Sequence, residues 1–206
     1  MLQRKSSPKS RCNRTEPWTL EEYMRFSEAI HDNAELHCAC QVLFWCGLRI
    51  GELLALTREN VDLDKGILHI VNTNANTQPD EDNRLNKTES RFVHMPDGVT
   101  EELSRFVGSL ENLRDEDCIF TFSLSDLRKV MSTGAKKAEV DKVSTHSLRS
   151  SHIKLLMKYG VAGSMKEIAE RLGTAVLLLP DEDVPDVQCN DSLIAVRLNQ
   201  IMKGGN

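Results

Sequence analysis

A chain of 206 residues, 40% of them apolar and 28% charged, suits one good-sized soluble domain with at most a fragment beside it. No apolar run is long enough to span a bilayer as a helix and the start lacks a signal-type apolar core, which makes the cytoplasm the default expectation. The net charge of −5 counts against nucleic-acid binding, although an average can hide a local patch, and six cysteines without framework spacing point to a reducing compartment.

That charge is unevenly spread. Acids cluster at Asp80–Asp82, Glu111–Asp117 and Asp181–Asp186, whereas the first fifteen residues carry Arg4, Lys5, Lys9, Arg11 and Arg14 and no acid. Residues 1–17 read as a flexible basic lead-in, rich in Ser and Pro, that is either a nucleic-acid contact or a solvated linker. The folded domain is expected from residue 18 to 206. Thr19 with Glu22 forms a capping box, and Leu20, Tyr23, Phe26 and Ile30 follow at helical spacing. A second helix is predicted from about Asn33 to Cys46, with Leu36, Cys40, Leu43 and Phe44 on one face. His37, Cys38 and Cys40 invite a metal site, but cysteines two apart on a helix diverge and no second ligand pair appears. Core packing is the reading, and no metal is expected.

Gly47 then interrupts the apolar run, and Leu53, Leu54 and Leu56 are spaced to bury. Arg49 falls where a helix begins, near the positive end of its dipole, an unfavourable place for a cation. Two explanations stay open. Arg49 is a surface arginine paired with Glu52 or another acid, or it adds a bidentate fork to an anion site at the helix start. Val61 to Val71 reads as two short strands around a Lys65-Gly66 turn, Asn72–Asn86 as a polar loop, and Arg91 to Met95 as a strand stopped by Pro96. Helices follow, with apolar stripes at Leu103, Phe106, Val107 and Leu110, then at Leu124, Leu127, Val130 and Met131. The next runs from His146 to Tyr159, its inner face formed by Leu148, His152, Leu155, Leu156 and Tyr159. Ser164 with Glu167 caps a short helix that stops at Gly173, and Leu193, Ile194, Val196, Leu198 and Ile201 make a last amphipathic segment. The expected fold is mainly α with a small antiparallel β-sheet.

Gly47-Leu48-Arg49-Ile50-Gly51-Glu52-Leu53-Leu54-Ala55-Leu56, then His146-Ser147-Leu148-Arg149, then Glu170-Arg171-Leu172-Gly173, resemble the catalytic domain of the tyrosine recombinases, the phage and transposon integrases. The resemblance runs from about Thr19 to Gly173. It implies a site-specific recombinase or integrase of a mobile element, which cuts and rejoins DNA phosphodiesters through a covalent protein–DNA intermediate. DNA is the implied partner, with no cofactor and no small-molecule substrate. Displacement at phosphorus builds negative charge, so it needs cations on the non-bridging oxygens, a nucleophile, and an acid for the departing hydroxyl. The motif match gives the oxygens to Arg49 and Arg149 and a proton-moving role to His146, one turn before Arg149. Lys87, in Lys87-Thr88-Glu89-Ser90, resembles the family's leaving-group acid, although its segment is about one residue short; the alternative is an ordinary solvated hairpin lysine. His152 reads as a buried packing histidine.

Two departures stand out. Thr174 occupies the place where the family has a histidine or similar donor, and no tyrosine follows at the nucleophile's position. Tyr23 and Tyr159 sit at apolar helix positions and read as packing. Residues 174–192, with Pro180, Pro185 and a run of acids, read as aberrant, the product of a displaced reading frame or of decay. Family-like sequence resumes at Ala195 to Ile201. An active recombinase and a non-catalytic DNA-binding remnant therefore both stay open, with a helical protein unrelated to DNA as the bland third class. The tail helix either packs at home or supports self-association with a neighbouring copy, and weak DNA affinity is expected without an upstream clamping domain.

Overall fold

The computed structural model describes residues 16–71, 90–174 and 190–204. Helix α1 (Leu20–Ala29) starts at a complete capping box: Glu22 N–H donates to Thr19 Oγ1 at 3.2 Å, and Thr19 N–H to Glu22 Oε2 at 2.7 Å. Helix α2 (Ala34–Cys46) starts at Asn33, whose side chain accepts from Leu36 N. A single turn, α3 (Ile50–Leu54), follows, then three strands, β1 (Val61–Asp62), β2 (Ile67–Ile70) and β3 (Arg91–His94). The remaining elements are helices α4 (Asp97–Ser109), α5 (Leu124–Lys137), α6 (Thr145–Lys158), α7 (Met165–Leu172) and α8 (Asp191–Met202).

The expected class holds: a mainly helical fold with one antiparallel sheet, ordered β1-β2-β3, pairing Val61 with Leu68, Ile67 with His94 and Ile70 with Arg91. Alternation turns Leu68, Ile70 and Val93 inward, while Phe92 stays 62% exposed and stacks on His69 at 4.7 Å. Arg91 shares the inward face with Val93, an unusual place for a charge.

α2 is the central element. It packs against α1, α3, α4 and α6 and is buried nearly all round, from Leu36 through Cys46, rather than along one stripe. Tyr23 lies flat against Phe44, with ring centroids 3.5 Å apart. His37 bonds Ser27 Oγ at 2.9 Å and Glu102 Oε1 at 2.6 Å, and Cys38, Cys40 and Cys46 are packed thiols whose pKa values burial pushes up, to about 12 for Cys40 and Cys46.

Three expectations need correction. Tyr159 lies just past the end of α6, and this rotates it off the inner face to 39% exposure, with the Lys158 ammonium 5.2 Å from its ring centroid. In α8, Ile194 and Leu198 are buried against the body formed by β3 and α4, but Leu193 and Val196 point outward. α3 spans only five residues. Beyond Ala55 the chain is drawn out of helical geometry, where Ile119 N–H donates to Leu56 O at 2.9 Å and Thr57 bridges to Cys118. The basic lead-in up to Thr15, the polar loop, Lys87 and residues 175–189 lie outside the described residues. Asn190 to Ser192 form the cap and first turn of α8, so helix begins a few residues ahead of Ala195. Among the described residues no helix is long and apolar enough to cross a membrane.

Candidate active site

Two helices end on the same device. α2 closes on Gly47 (φ 69°) and α7 on Gly173 (φ 58°), both in the left-handed region where glycine carries no Cβ penalty. At α7 the closure has the Schellman pattern: Gly173 N–H bonds Glu170 O at 3.1 Å and Thr174 N–H bonds Ala169 O at 3.0 Å. Last-turn carbonyls carry the negative end of the helix dipole and attract cations.

Arginines fill these positions. Arg91 Nε donates to Arg171 O at 2.8 Å, Arg149 Nη2 to Leu172 O at 2.6 Å, and Arg49 Nη2 to Gly173 O at 3.0 Å. Three consecutive carbonyls of one helix end thus hold guanidinium groups from β3, from α6 and from the residue preceding α3. Arg149 also donates through Nη1 to Gly47 O at 2.7 Å, so it staples the ends of α2 and α7 together.

One carboxylate serves two of these arginines. Glu52 accepts Arg91 bidentately, Nη1 and Nη2 each at 2.9 Å, and also takes the Arg49 backbone N–H at 2.8 Å and Arg49 Nη1 at 3.0 Å. Burial opposes the charge on Glu52, but hydrogen bonding and attraction from Arg91, then Arg49, outweigh it and hold the pKa below the ordinary value. Arg149 is buried; burial first, then repulsion from Arg49 and Arg91 partly offset by Glu52, brings its pKa down to about 9, so it stays a cation at neutral pH. Arg49 keeps 35% of its side chain exposed. Three guanidiniums gather around one carboxylate that bonds two of them, and the described cluster therefore carries an excess of positive charge.

Behind this cluster Arg171 is buried completely. It donates to His152 Nε2 at 3.3 Å, Trp45 O at 3.2 Å and His94 O at 3.1 Å, and pairs with Asp191 of α8. Asp191 also takes the His94 backbone N–H at 2.5 Å. His152 is buried as expected, and desolvation with nearby Arg171 and Arg149 pushes its pKa well down, keeping it neutral.

Arg49 and Arg149, 100 residues apart in sequence, therefore meet on adjacent carbonyls. Of the two explanations left open for Arg49, the structure contains the pairing with Glu52, and it also holds Arg49 beside Arg149. The one turn of α3 adds little dipole, so the positive charge at this end is that of the guanidiniums. His146 is exposed in the first turn of α6, one turn before Arg149. Thr174 contributes a backbone bond to the end of α7. Tyr23, fully buried with its hydroxyl donating to Gln41 Oε1, and Tyr159, at the opposite end of α6 from His146, stand apart from the cluster. Arg91 and Arg171 escaped the sequence reading; a charge at an inward strand position was the available signal for the first, and the second had none beyond its place in the Glu-Arg-Leu-Gly run.

A helical domain with a small antiparallel sheet, holding arginines from distant segments at one helix end, has the fold of tyrosine-recombinase catalytic domains. The model of the phage integrase family matches residues 13–175, and the chain belongs to that family. The integrase of Staphylococcus phage L54a is 30% identical over 154 residues, 66% of this chain and 43% of that protein, so the chain spans less than half of this relative's length. Among solved structures, XerA recombinase superposes with a TM-score of 0.64 at 21% identity, over 98% of this chain and 68% of its own. The λ integrase catalytic core gives 0.57 at 16% identity, over 77% and 91%. The Tn1549 transposon integrase in complex with circular intermediate DNA gives 0.63 at 14%, over 90% and 66%. At these identities the structures share the fold.

Proposed function

We propose that this chain grips a DNA phosphodiester with Arg49 and Arg149, as the catalytic domain of a cytoplasmic site-specific recombinase or integrase of a mobile element. The observation that supports the reading is the pair of guanidiniums on the adjacent Leu172 and Gly173 carbonyls. Each spends two of its five N–H groups on the described protein, which leaves donors for non-bridging oxygens. His146 stands one turn away as the proton-moving group, Lys87 is assigned the leaving oxygen, and Thr174 takes the place of the family's histidine or similar donor. In the active family reaction a covalent protein–DNA link forms, and no cofactor enters.

A second reading, a remnant that binds DNA without cutting it, is favoured by the tyrosines. The chain has two, one buried under Phe44 and one at the far end of α6. A nicked suicide substrate separates the readings: a covalent adduct rules out the remnant, and its absence with retained DNA binding rules out the active enzyme. Binding to duplex DNA is expected to weaken as salt rises, and Arg49→Ala to weaken it by about tenfold more, as loss of one charge-assisted contact requires. Salt-independent binding, or none, would sink both. Self-association through α8 would use the outward Leu193 and Val196, and sedimentation of the full chain with Val196→Asp checks it.

A further inference from the structure

The phosphate reading employs Arg49 and Arg149 but leaves Arg91 without a task. Arg91 is buried on the inward face of β3, an expensive place for a cation unless it is fully paired. We propose that Arg91 is a positioning residue that keeps Arg49 available to an anion by occupying Glu52; the inference rests on the phosphate reading and deepens it.

The argument is one of hydrogen-bond valence. A carboxylate offers about four lone-pair positions, and the strongest way for an arginine to use them is a two-bond fork. Glu52 follows Arg49 by three residues, close enough for that fork. In the structure Arg91 holds the fork, with both of its Nη atoms at 2.9 Å, one on each oxygen. The backbone N–H and Nη1 of Arg49 take the two remaining positions. Arg49 is therefore oriented by one side-chain bond to Glu52 and one to Gly173 O, and is neither neutralised nor enclosed by the carboxylate. Arg91 is itself fixed by its third bond, to Arg171 O, on the carbonyl next to the one that Arg149 uses. With Arg91 gone, Glu52 and Arg49 have equal and opposite charge, and the carboxylate is free to rotate into the fork with Arg49 and compete with an incoming phosphate.

The test uses the full chain, with inorganic phosphate as the probe and the arginine side-chain N–H resonances as the readout. In the unmodified protein, phosphate should shift the signals of both Arg49 and Arg149. Arg91→Met should weaken phosphate binding by about tenfold or more, and should silence the Arg49 response before that of Arg149. Adding Glu52→Gln to Arg91→Met removes the competing charge and should restore most of the affinity, which a merely structural role for Arg91 does not predict. If Arg91→Met does not fold, Arg91→Lys, which keeps the charge but loses the fork, should show a smaller loss with the same rescue. Phosphate binding unchanged in the Arg91 variants, or no rescue by Glu52→Gln, overturns the inference while leaving the phosphate site standing. No response of Arg49 and Arg149 to phosphate in the unmodified protein overturns the site and the inference together.

Discussion

At the scale of single residues, the site is governed by how buried charges spend their hydrogen-bonding capacity. Glu52 is stable as an anion because all four of its acceptor positions are used, three by side-chain N–H groups and one by a backbone N–H. Glu52→Ala strands Arg91 in the interior, and should cost about 3 kcal/mol of unfolding free energy in a urea titration. His152 poses the opposite problem, a titratable group held neutral by burial and by two arginines. Its folded pKa lies well below 6.5, so below pH 6.5 the unfolded chain takes up a proton that the folded one refuses. Its contribution is thus complete above pH 6.5 and declines as the pH drops, with a slope of up to about 1.4 kcal/mol per pH unit. His152→Gln keeps an acceptor for Arg171, and stability measured from pH 7 to 5 should lose that part of its slope.

Among elements, the ends of α2 and α7 matter more to the site than their lengths. A Cβ on Gly47 would lie 2.5 Å from His152 Cδ2 and 2.8 Å from Leu172 Cδ2, on a backbone at φ 69° that already disfavours a side chain. Gly47→Ala should therefore cost about 2 kcal/mol or more and move the carbonyl that Arg149 grips, detectable as a lowered melting temperature together with weaker phosphate binding. These ends were legible in the sequence because they are local. Thr19 with Glu22, Asn33, Ser164 with Glu167 and the stop at Gly173 depend on neighbours within a few residues, and each occurs as expected. The single turn of α3 was not legible, since its end is set by a bridge to Cys118, far along the chain. Nor was the role of Arg91, whose partners lie 39 and 80 residues away. The placement of Arg49 beside Arg149 was an inference from family motifs; helical periodicity gave each helix a face but not the packing of one end against another.

For the whole molecule, the question is what makes α8 part of the same cooperative unit as the site. Its apolar seat is modest, essentially Ile194, Ala195 and Leu198. The polar connection is more demanding: Arg171 reaches α2 through Trp45 O, β3 through His94 O, α6 through His152 and α8 through Asp191. A guanidinium so completely enclosed cannot turn to water for a replacement partner. Asp191→Ala should consequently cost about 3 kcal/mol, the usual penalty for orphaning one member of a buried pair. The loss should also be felt beyond α8, because the residue left unpaired sits beside the Leu172 and Gly173 carbonyls. Hydrogen exchange gives the decisive reading: amides of α8 and of the last turn of α7 should lose protection together in Asp191→Ala. If only α8 loosens, Asp191 holds the tail without coupling it to the site, and Arg171 is satisfied by the Trp45 and His94 carbonyls; if neither loosens, the tail is held by its apolar contacts.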